Sequence, residues 1–347
     1  MRDSPASQLL DWYDQHARRL PWRAKPQAKR RTPPYHVWLS EIMLQQTTVA
    51  TVKPYFEKFL LLFPDVYALA NARDEQVMAA WAGLGYYSRA RNLLKCARQV
   101  VADHDGRFPD QEADLLTLPG IGPYTAAAIA AIAFNRKAAP VDGNIERVLA
   151  RIHADTTPMP ELKKPVKRAC EALVPDSRPG DFVQAMMDLG AGICTPKRPN
   201  CPACPWQQHC LAHHQGIAET LPRLAPKKPK PERAGTVFWI ENQKAEVLMA
   251  RRPDKGLLGG MLMFPSIGWD APNDTAMATH LPDDWTPLAG EVVHVFTHFR
   301  LTLKVHAQTV PKGFRKPKGY QWVAPHLFSE EALPSVMRKV ARLVLAV

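Results

Sequence analysis

Apolar residues recur three and four apart near the start of the chain: Leu9, Leu10, Tyr13 and Ala17 would share one face of a helix. The same spacing, broken by frequent helix stops and with no clean period of two, continues to about residue 218. The pattern then changes. Residues 221–235, LPRLAPKKPKPERAG, are dense in proline and lysine. Proline denies both helix and central strand, and like charges keep such a stretch extended. Beyond it, TVFWI and AEVLMARR are rich in β-formers, and FRLTLKVHA alternates with Leu301, Leu303 and Val305 on one face. SVMRKVARLVLAV closes the chain as a helix, with Ser335 placed to cap it. The expectation is a multidomain protein: an all-α domain over 1–218, a linker over 219–234 and an α+β domain over 235–347, without a repeat of solenoid period.

Composition narrows the partners. The 347 residues can bury two cores, and 45 lysines and arginines against 33 acids leave a net charge of +12. An excess of that size suits a polyanion, although it also serves solubility. The longest apolar run, AAAIAAIAF over residues 126–134, is far below the roughly 20 residues of a membrane span. The N-terminus mixes acids and bases and has no apolar signal core. No membrane partner is expected, and a reducing cytoplasm is. In that compartment clustered cysteines are more often metal ligands than disulfides. Four of the six cysteines stand in CTPKRPNCPACPWQQHC, spaced C-x6-C-x2-C-x5-C. Four thiolates can hold zinc or an iron–sulfur cluster; paired zinc ribbons show two C-x2-C pairs, and this stretch has one. Cys96 and Cys170 lie in helical patterns and read as buried apolar residues.

Two stretches carry candidate chemistry. In LLTLPGIGPYTAAAIAAIAF, residues 115–134, one helix stops at Pro119-Gly120, and Gly122-Pro123 opens another. Gly120 and Gly122 let backbone approach a ligand, and the new helix offers free N–H groups to a phosphate. This resembles the helix-hairpin-helix motif of DNA-binding proteins. Twenty-two residues past Gly120, Asp142 in APVDGNIERVLAR is placed to cap the next helix and to face a cation. In PYHVWLSEIMLQQTTVATVKP, Glu41 interrupts an apolar helical run, with Gln45 and Thr48 at successive turns and Pro54 marking the expected end.

The stretch around Glu41 closely resembles the catalytic helix of the MutY family, adenine DNA glycosylases that act on adenine opposite 8-oxoguanine. LPWR, WAGLGYYSRARNL, LPGIGPYTAAAI, VDGNIERVLAR and FVQAMMDLGAGICTP follow in family order. AKPQAKRRTP is longer than usual and reads as a basic surface loop. The resemblance implies a helical glycosylase domain made of a six-helix barrel module and an iron–sulfur module. Glu41 would be the general acid, Asp142 the stabiliser of the cationic sugar, and Asn144 and Tyr124 the residues that orient them. Contacts to DNA or lesion would come from Arg23, Gln45, Gln46, Thr47, Leu84, Tyr86, Gly120, Gly122 and Gln184, with Tyr86 and Gln45 filling the gap beside the lesion. Cys194, Cys201, Cys204 and Cys210 would hold a [4Fe–4S] cluster and fix a loop carrying Lys197 and Arg198.

Tyr124 stands where bifunctional endonuclease III-type enzymes place a Schiff-base lysine, which implies a monofunctional glycosylase. The competing readings are such a bifunctional enzyme, a uracil- or thymine-specific relative, and a non-enzymatic DNA-binding scaffold. The C-terminal domain resembles the Nudix-like recognition domain of the family, through ARRPDKGLLGGMLMFP and HVFTHFRL. It has no glutamate-rich Nudix helix, so a magnesium-dependent hydrolase is not expected. The lesion-reading F-S-H loop of the family appears as Phe296, Thr297 and His298, and a usual tryptophan as Leu258. The implied partner is duplex DNA holding A:8-oxoguanine or A:G, bound by a monomer on the nucleoid.

Overall fold

Alanine dominates the helix PYTAAAIAAIAF, and small side chains let other helices approach it from every side. The computed structural model, which describes residues 4–225, 229–253, 257–269, 285–329 and 333–346, buries every position of that helix from Thr125 to Ala133. The chain divides into two compact units, Met1–Ala80 with Arg89–Pro226, and Trp81–Ser88 with Lys227–Val347. Helices run in the order α1 (Pro5–His16), α2 (Pro34–Leu44), α3 (Val49–Leu62), α4 (Val66–Ala70), α5 (Asp74–Trp81), α6 (Ser88–His104), α7 (Glu112–Leu115), α8 (Pro123–Phe134), α9 (Gly143–Ile152), α10 (Lys163–Leu173), α11 (Pro179–Gly192) and α12 (Leu211–His214). Within the helical unit α8 packs against α2, α7 and α11, and α11 also packs against α1 and α9. Gly180 lets α11 touch α8: a Cβ there would stand 2.5 Å from the Ala131 carbonyl oxygen. Leu9, Leu10 and Tyr13 of α1 are buried as expected, with Ala17 just past the helix as its C-cap.

The expected single helix through Pro54 is two. It breaks at Gln45, the C-cap of α2, and restarts where the Thr48 hydroxyl accepts the Thr51 N–H at 3.3 Å. Gln46 turns the chain with φ +57°, and Pro54 lies inside α3. The expected linker also differs at both ends. Leu221 is buried with Cys210 and Ala212, and Leu224 bridges to Met159. The first strand already begins at Glu232. Pro226, Lys227 and Lys228, in the middle of that stretch, lie outside the described residues.

The second unit is a mixed sheet of β1 (Glu232–Glu241), β2 (Val247–Arg251), β3 (Leu262–Met263), β4 (Ser266–Ile267), β5 (Thr286–Val295), β6 (Arg300–Thr309) and β7 (Tyr320–Val323), with α13 (Ser335–Leu345). The order is β3-β2-β1-β6-β5, and β4 and β7 pair with β1 and β2. β1 and β6 run parallel, with Val237 opposite Val305. The alternation read from the sequence buries Leu301, Leu303 and Val305 in one core with Val336, Met337 and Val340 of α13. Ser335 does not cap α13: it is the first helical residue, Pro334 holds the cap position, and no side chain bonds there. Among the described residues no helix is long and apolar enough to cross a membrane.

Candidate active site

Glu41 sits on α2 between buried neighbours on both sides, from Val37 to Met43, and only 6% of it is exposed. Burial pushes its carboxyl up to about 7. The Tyr124 hydroxyl donates to it and the Arg23 charge favours its ionised form, so both pull the other way, while the Asp142 charge pushes up. Tyr124, one residue into α8, is itself held well above its ordinary value by burial and then by the charges of Glu41 and Asp142. The packing of α2 on α8 makes this contact, and Gln45 repeats it one turn later, with its amide 3.4 Å from Thr125 Oγ1.

Asp142 occupies a different kind of place. It is the N-cap of α9; its Oδ1 accepts the Ile145 N–H at 2.8 Å and its Oδ2 the Asn144 side-chain amide at 2.8 Å. The other end of Asn144 is fixed in turn, because its Oδ1 accepts from Arg147 at 2.9 Å. Arg147 also donates to the carbonyls of Gly190 and Cys194, both at 2.7 Å. Gly190 leaves just enough room: a Cβ there would meet the Asn144 Cβ at 2.6 Å.

Arg23, expected to touch DNA, is buried instead. It donates to Asp188 at 2.7 Å, with side-chain exposures of 8% and 1% for the pair, and Arg18 bonds the same carboxylate through its backbone N–H and side chain. A cleft lined by Arg18, Leu20, Arg23 and Lys53 opens beside it. Gln184 lies one turn before Asp188 on α11. It is buried, its amide donates to the Gly180 carbonyl, and its Oε1 has no partner among the described residues. A buried acceptor left without a donor is rare and marks a place for a ligand or water.

The hairpin forms as expected. α7 leads into a turn in which Gly120 has φ +79° over Asn92, and Gly122 opens α8 with no side-chain cap. The start of α8 therefore keeps backbone N–H groups that no side-chain cap takes up among the described residues. Arg89 joins this region to α2: its Nη1 donates to the carbonyls of Ile42, Met43 and Gln45, at 2.6 to 3.0 Å, and its Nη2 lies 3.3 Å from Thr47 Oγ1. It thereby fixes the exposed turn at Gln46 and half-buried Thr47.

Cys194, Cys201, Cys204 and Cys210 line one pocket together with Arg151 and His213. Arg151 is nearly fully buried; it donates to Cys194 Sγ at 3.2 Å and to the Thr195 and Pro196 carbonyls. Burial pushes the Cys204 thiol up to about 12. Among the described residues no three His, Cys, Asp or Glu side chains form a group placed to hold a metal ion. Lys197 and Arg198 are exposed on this loop, whereas Cys96 and Cys170 are buried away from it.

In the second unit Phe296, Thr297 and His298 form the tight turn between β5 and β6, closed by the Phe296 N–H to the Phe299 carbonyl at 2.9 Å. Phe296 stacks on Trp269 and Phe299, which leaves Thr297 and His298 exposed at the tip. Leu258 is half-buried against the same core, in the left-handed region at φ +56°. The segment Trp81–Ser88 clusters with this unit, and Tyr86, 50% exposed, places its hydroxyl 3.2 Å from Thr297 Oγ1. Leu84, expected to contact DNA, has a buried side chain.

Asp188, Arg89, Arg147 and Arg151 were not singled out from the sequence. A signal exists for three of them: Asp188 interrupts the apolar run FVQAMMDLG, and Arg147 and Arg151 share the buried face of α9 with Val148 and Ile145. Arg89 has none, because its partners lie more than 40 residues away.

Residues 39–176 match the family model described as HhH-GPD superfamily base excision DNA repair protein, and residues 236–343 match the NUDIX domain. The adenine DNA glycosylase of Mus musculus is 36% identical over 97% of this chain and 77% of its own length, and that of Homo sapiens 36% over 96% and 72%. Among solved structures, a thermostable thymine-DNA glycosylase matches 60% of this chain and 95% of its own, with a TM-score of 0.53 at 30% identity.

Proposed function

The chain belongs to the adenine DNA glycosylase family, and we propose that it hydrolyses the N-glycosidic bond of adenine mispaired with 8-oxoguanine or guanine in duplex DNA. The observation that carries this reading is the pairing of a buried carboxyl near pKa 7 with a second carboxyl held by N–H donors at a helix start.

Adenine within a duplex is out of reach, so the base is first flipped out, at a cost of a few kcal/mol. It is a poor leaving group until protonated. An ordinary glutamate, with a pKa near 4.3, is protonated about once in 500 at pH 7, whereas a group near 7 is protonated about half the time. Glu41 delivers that proton to N7 of the flipped base. The Asp142 carboxylate, held by Asn144 and the start of α9, stabilises the cationic sugar as the bond breaks. Glu41, now deprotonated, takes the proton of the attacking water, so two carboxyls in unlike environments divide the work as in glycoside hydrolysis. Gln184 Oε1 fits the exocyclic amine of the base as the donor it lacks. Tyr124 offers no amine for a Schiff base, which favours hydrolysis over a committed lyase step.

Residues 194–210 fit a [4Fe–4S] cluster held by Cys194, Cys201, Cys204 and Cys210. Four thiols line one pocket, and Arg151 donates to the first of them. When bound, the cluster would brace this loop and its exposed Lys197 and Arg198. Iron analysis of purified protein tests this: about four irons per chain are expected, and zinc without iron overturns it. Thr297 and His298 read the lesion base opposite the adenine. The work is done in a reducing cytoplasm, by a monomer on nucleoid DNA.

A panel of labelled duplexes holding A:8-oxoguanine, A:G, thymine glycol, uracil or G:T tests the activity. Cleavage after alkali of the first two alone is expected. Cleavage of the others, or strand breakage without alkali, overturns the reading.

A further inference from the structure

Two cations stand around the β5–β6 turn and meet no carboxylate among the described residues. Lys230 Nζ donates to the Phe296 carbonyl at 2.8 Å. The Arg233 guanidinium lies 4.2 Å from the centroid of the Phe299 ring, and its Nη1 donates to the Trp269 carbonyl at 3.2 Å. Both residues are exposed. Glu232, between them in sequence, stands opposite Arg300 in the β1–β6 register, while Arg233 stands opposite Leu301. Successive strand residues point to opposite faces, so the acid is turned away from Arg233.

A carbonyl or a ring orients a cation without neutralising it. An ammonium has three donors and a guanidinium five, and the described residues take one hydrogen bond from each side chain. The anchors, Phe296, Phe299 and Trp269, are the same stacked rings that fix the turn carrying Thr297 and His298. Two charges that meet no carboxylate among the described residues are therefore held at set positions beside an exposed hydroxyl and an exposed imidazole. That arrangement suits a strand whose base is read at the tip and whose backbone lies alongside it.

We propose that Lys230 and Arg233 form a phosphate-binding site of the second unit, which grips the backbone of the DNA strand whose base meets Thr297 and His298. The proposal rests on the adenine glycosylase reading for the identity of the polyanion. Phosphate contacts position a protein on DNA and base contacts specify, so the two pairs of residues should fail in different ways.

The test measures DNA affinity of the full-length protein against salt concentration, for A:8-oxoguanine and A:G duplexes that extend about six base pairs, roughly 20 Å, on either side of the mispair. K230Q/R233Q should flatten the salt slope by about 1.8, from about 0.9 per released phosphate. It should weaken both duplexes by the same factor, and R233K, which keeps the charge, should restore most of the slope. K312Q/R315Q/K316Q/K318Q is the control. These four exposed cations follow β6, whose ten residues span roughly 30 Å from the turn, so a duplex this short should not feel their loss. An unchanged slope for K230Q/R233Q overturns the site. So does a loss confined to A:8-oxoguanine, or an equal flattening in the control, which would make the effect one of net charge. Adenine release by the wild-type protein at saturating concentration is scored separately: its absence sinks the enzymatic reading and leaves the phosphate measurement standing.

Discussion

Glu41 and Asp142 bear the same functional group on side chains that differ by one methylene, yet the backbone gives them opposite surroundings. Glu41 projects from the middle of α2, where every backbone N–H is already committed to the helix, so a phenol and a nearby guanidinium are what its carboxyl is left to work with. Asp142 stands where a helix begins, and there uncommitted N–H groups point at it by construction. A carboxyl in mid-helix inside a core tends to keep its proton, and a carboxyl at a helix start tends to find donors. Position within an element, and not residue type, divides the labour.

Removing each acid function should have the largest effect. Glu41→Gln has no proton to give and Asp142→Asn no charge to face the sugar, so each should slow single-turnover adenine release by about 10²- to 10⁴-fold. Binding of the A:8-oxoguanine duplex should persist in both. Near-normal release by either variant would mean that the paired carboxyls are not the machinery.

A smaller effect sharpens the comparison. Release should fall as pH rises through about 7, because Glu41 must hold its proton to act. The Tyr124 hydrogen bond lowers that carboxyl, so Tyr124→Phe should move the descending limb to higher pH. A limb that moves down, or stays, would show that the hydroxyl does not touch Glu41 in the working enzyme.

The smallest effects lie in stability. A carboxyl raised from 4.5 to about 7 binds more protons folded than unfolded between those values. The fold is then fully favoured below about 4.5 and loses stability as pH rises through about 7, by about 3 kcal/mol for this one group. Glu41→Gln should therefore melt higher than wild type at pH 8 and about level with it at pH 4.5. Asp142→Ala should go the other way, losing about 1 kcal/mol of helix capping at neutral pH. If both variants melt lower at pH 8, burial is not what raises Glu41.

Much of this site was legible in the sequence because its parts are local. Glu41, Tyr124, Asp142 and the four cysteines each stand in a short motif that resembles those of a known family, and Asp142 is also readable as a helix cap from its place before α9. What escaped depends on partners far along the chain. Within residues 35–54 the break at Gln45 has Thr48, the cap of α3, as its local signal; Arg89, arriving from α6, takes the last carbonyls of α2. Arg23 looks like a surface cation until Asp188, 165 positions later, draws it inward. The strands were readable from alternation, whereas the start of the linker was not, because Leu221 is held by a pocket that forms only when α9 and α12 meet. Ser335 failed as a cap because proline before it already fixes the entry to α13.

Gly180 and Gly190 touch neither base nor sugar in any step above, and yet they leave α11 with almost no freedom to vary. At each, a single added methyl group would overlap a neighbour by far more than thermal motion absorbs: the Ala131 carbonyl oxygen in one case, Asn144 in the other. They lie ten residues apart, near the two ends of one rod, and gauge the gap to α8 at one end and to the Asp142–Asn144 turn at the other. A drift of sequence that spared every acid, amide and thiol could still idle the enzyme by altering that gauge. In engineering such a chain, the closest fit is demanded of two residues that have no side chain at all.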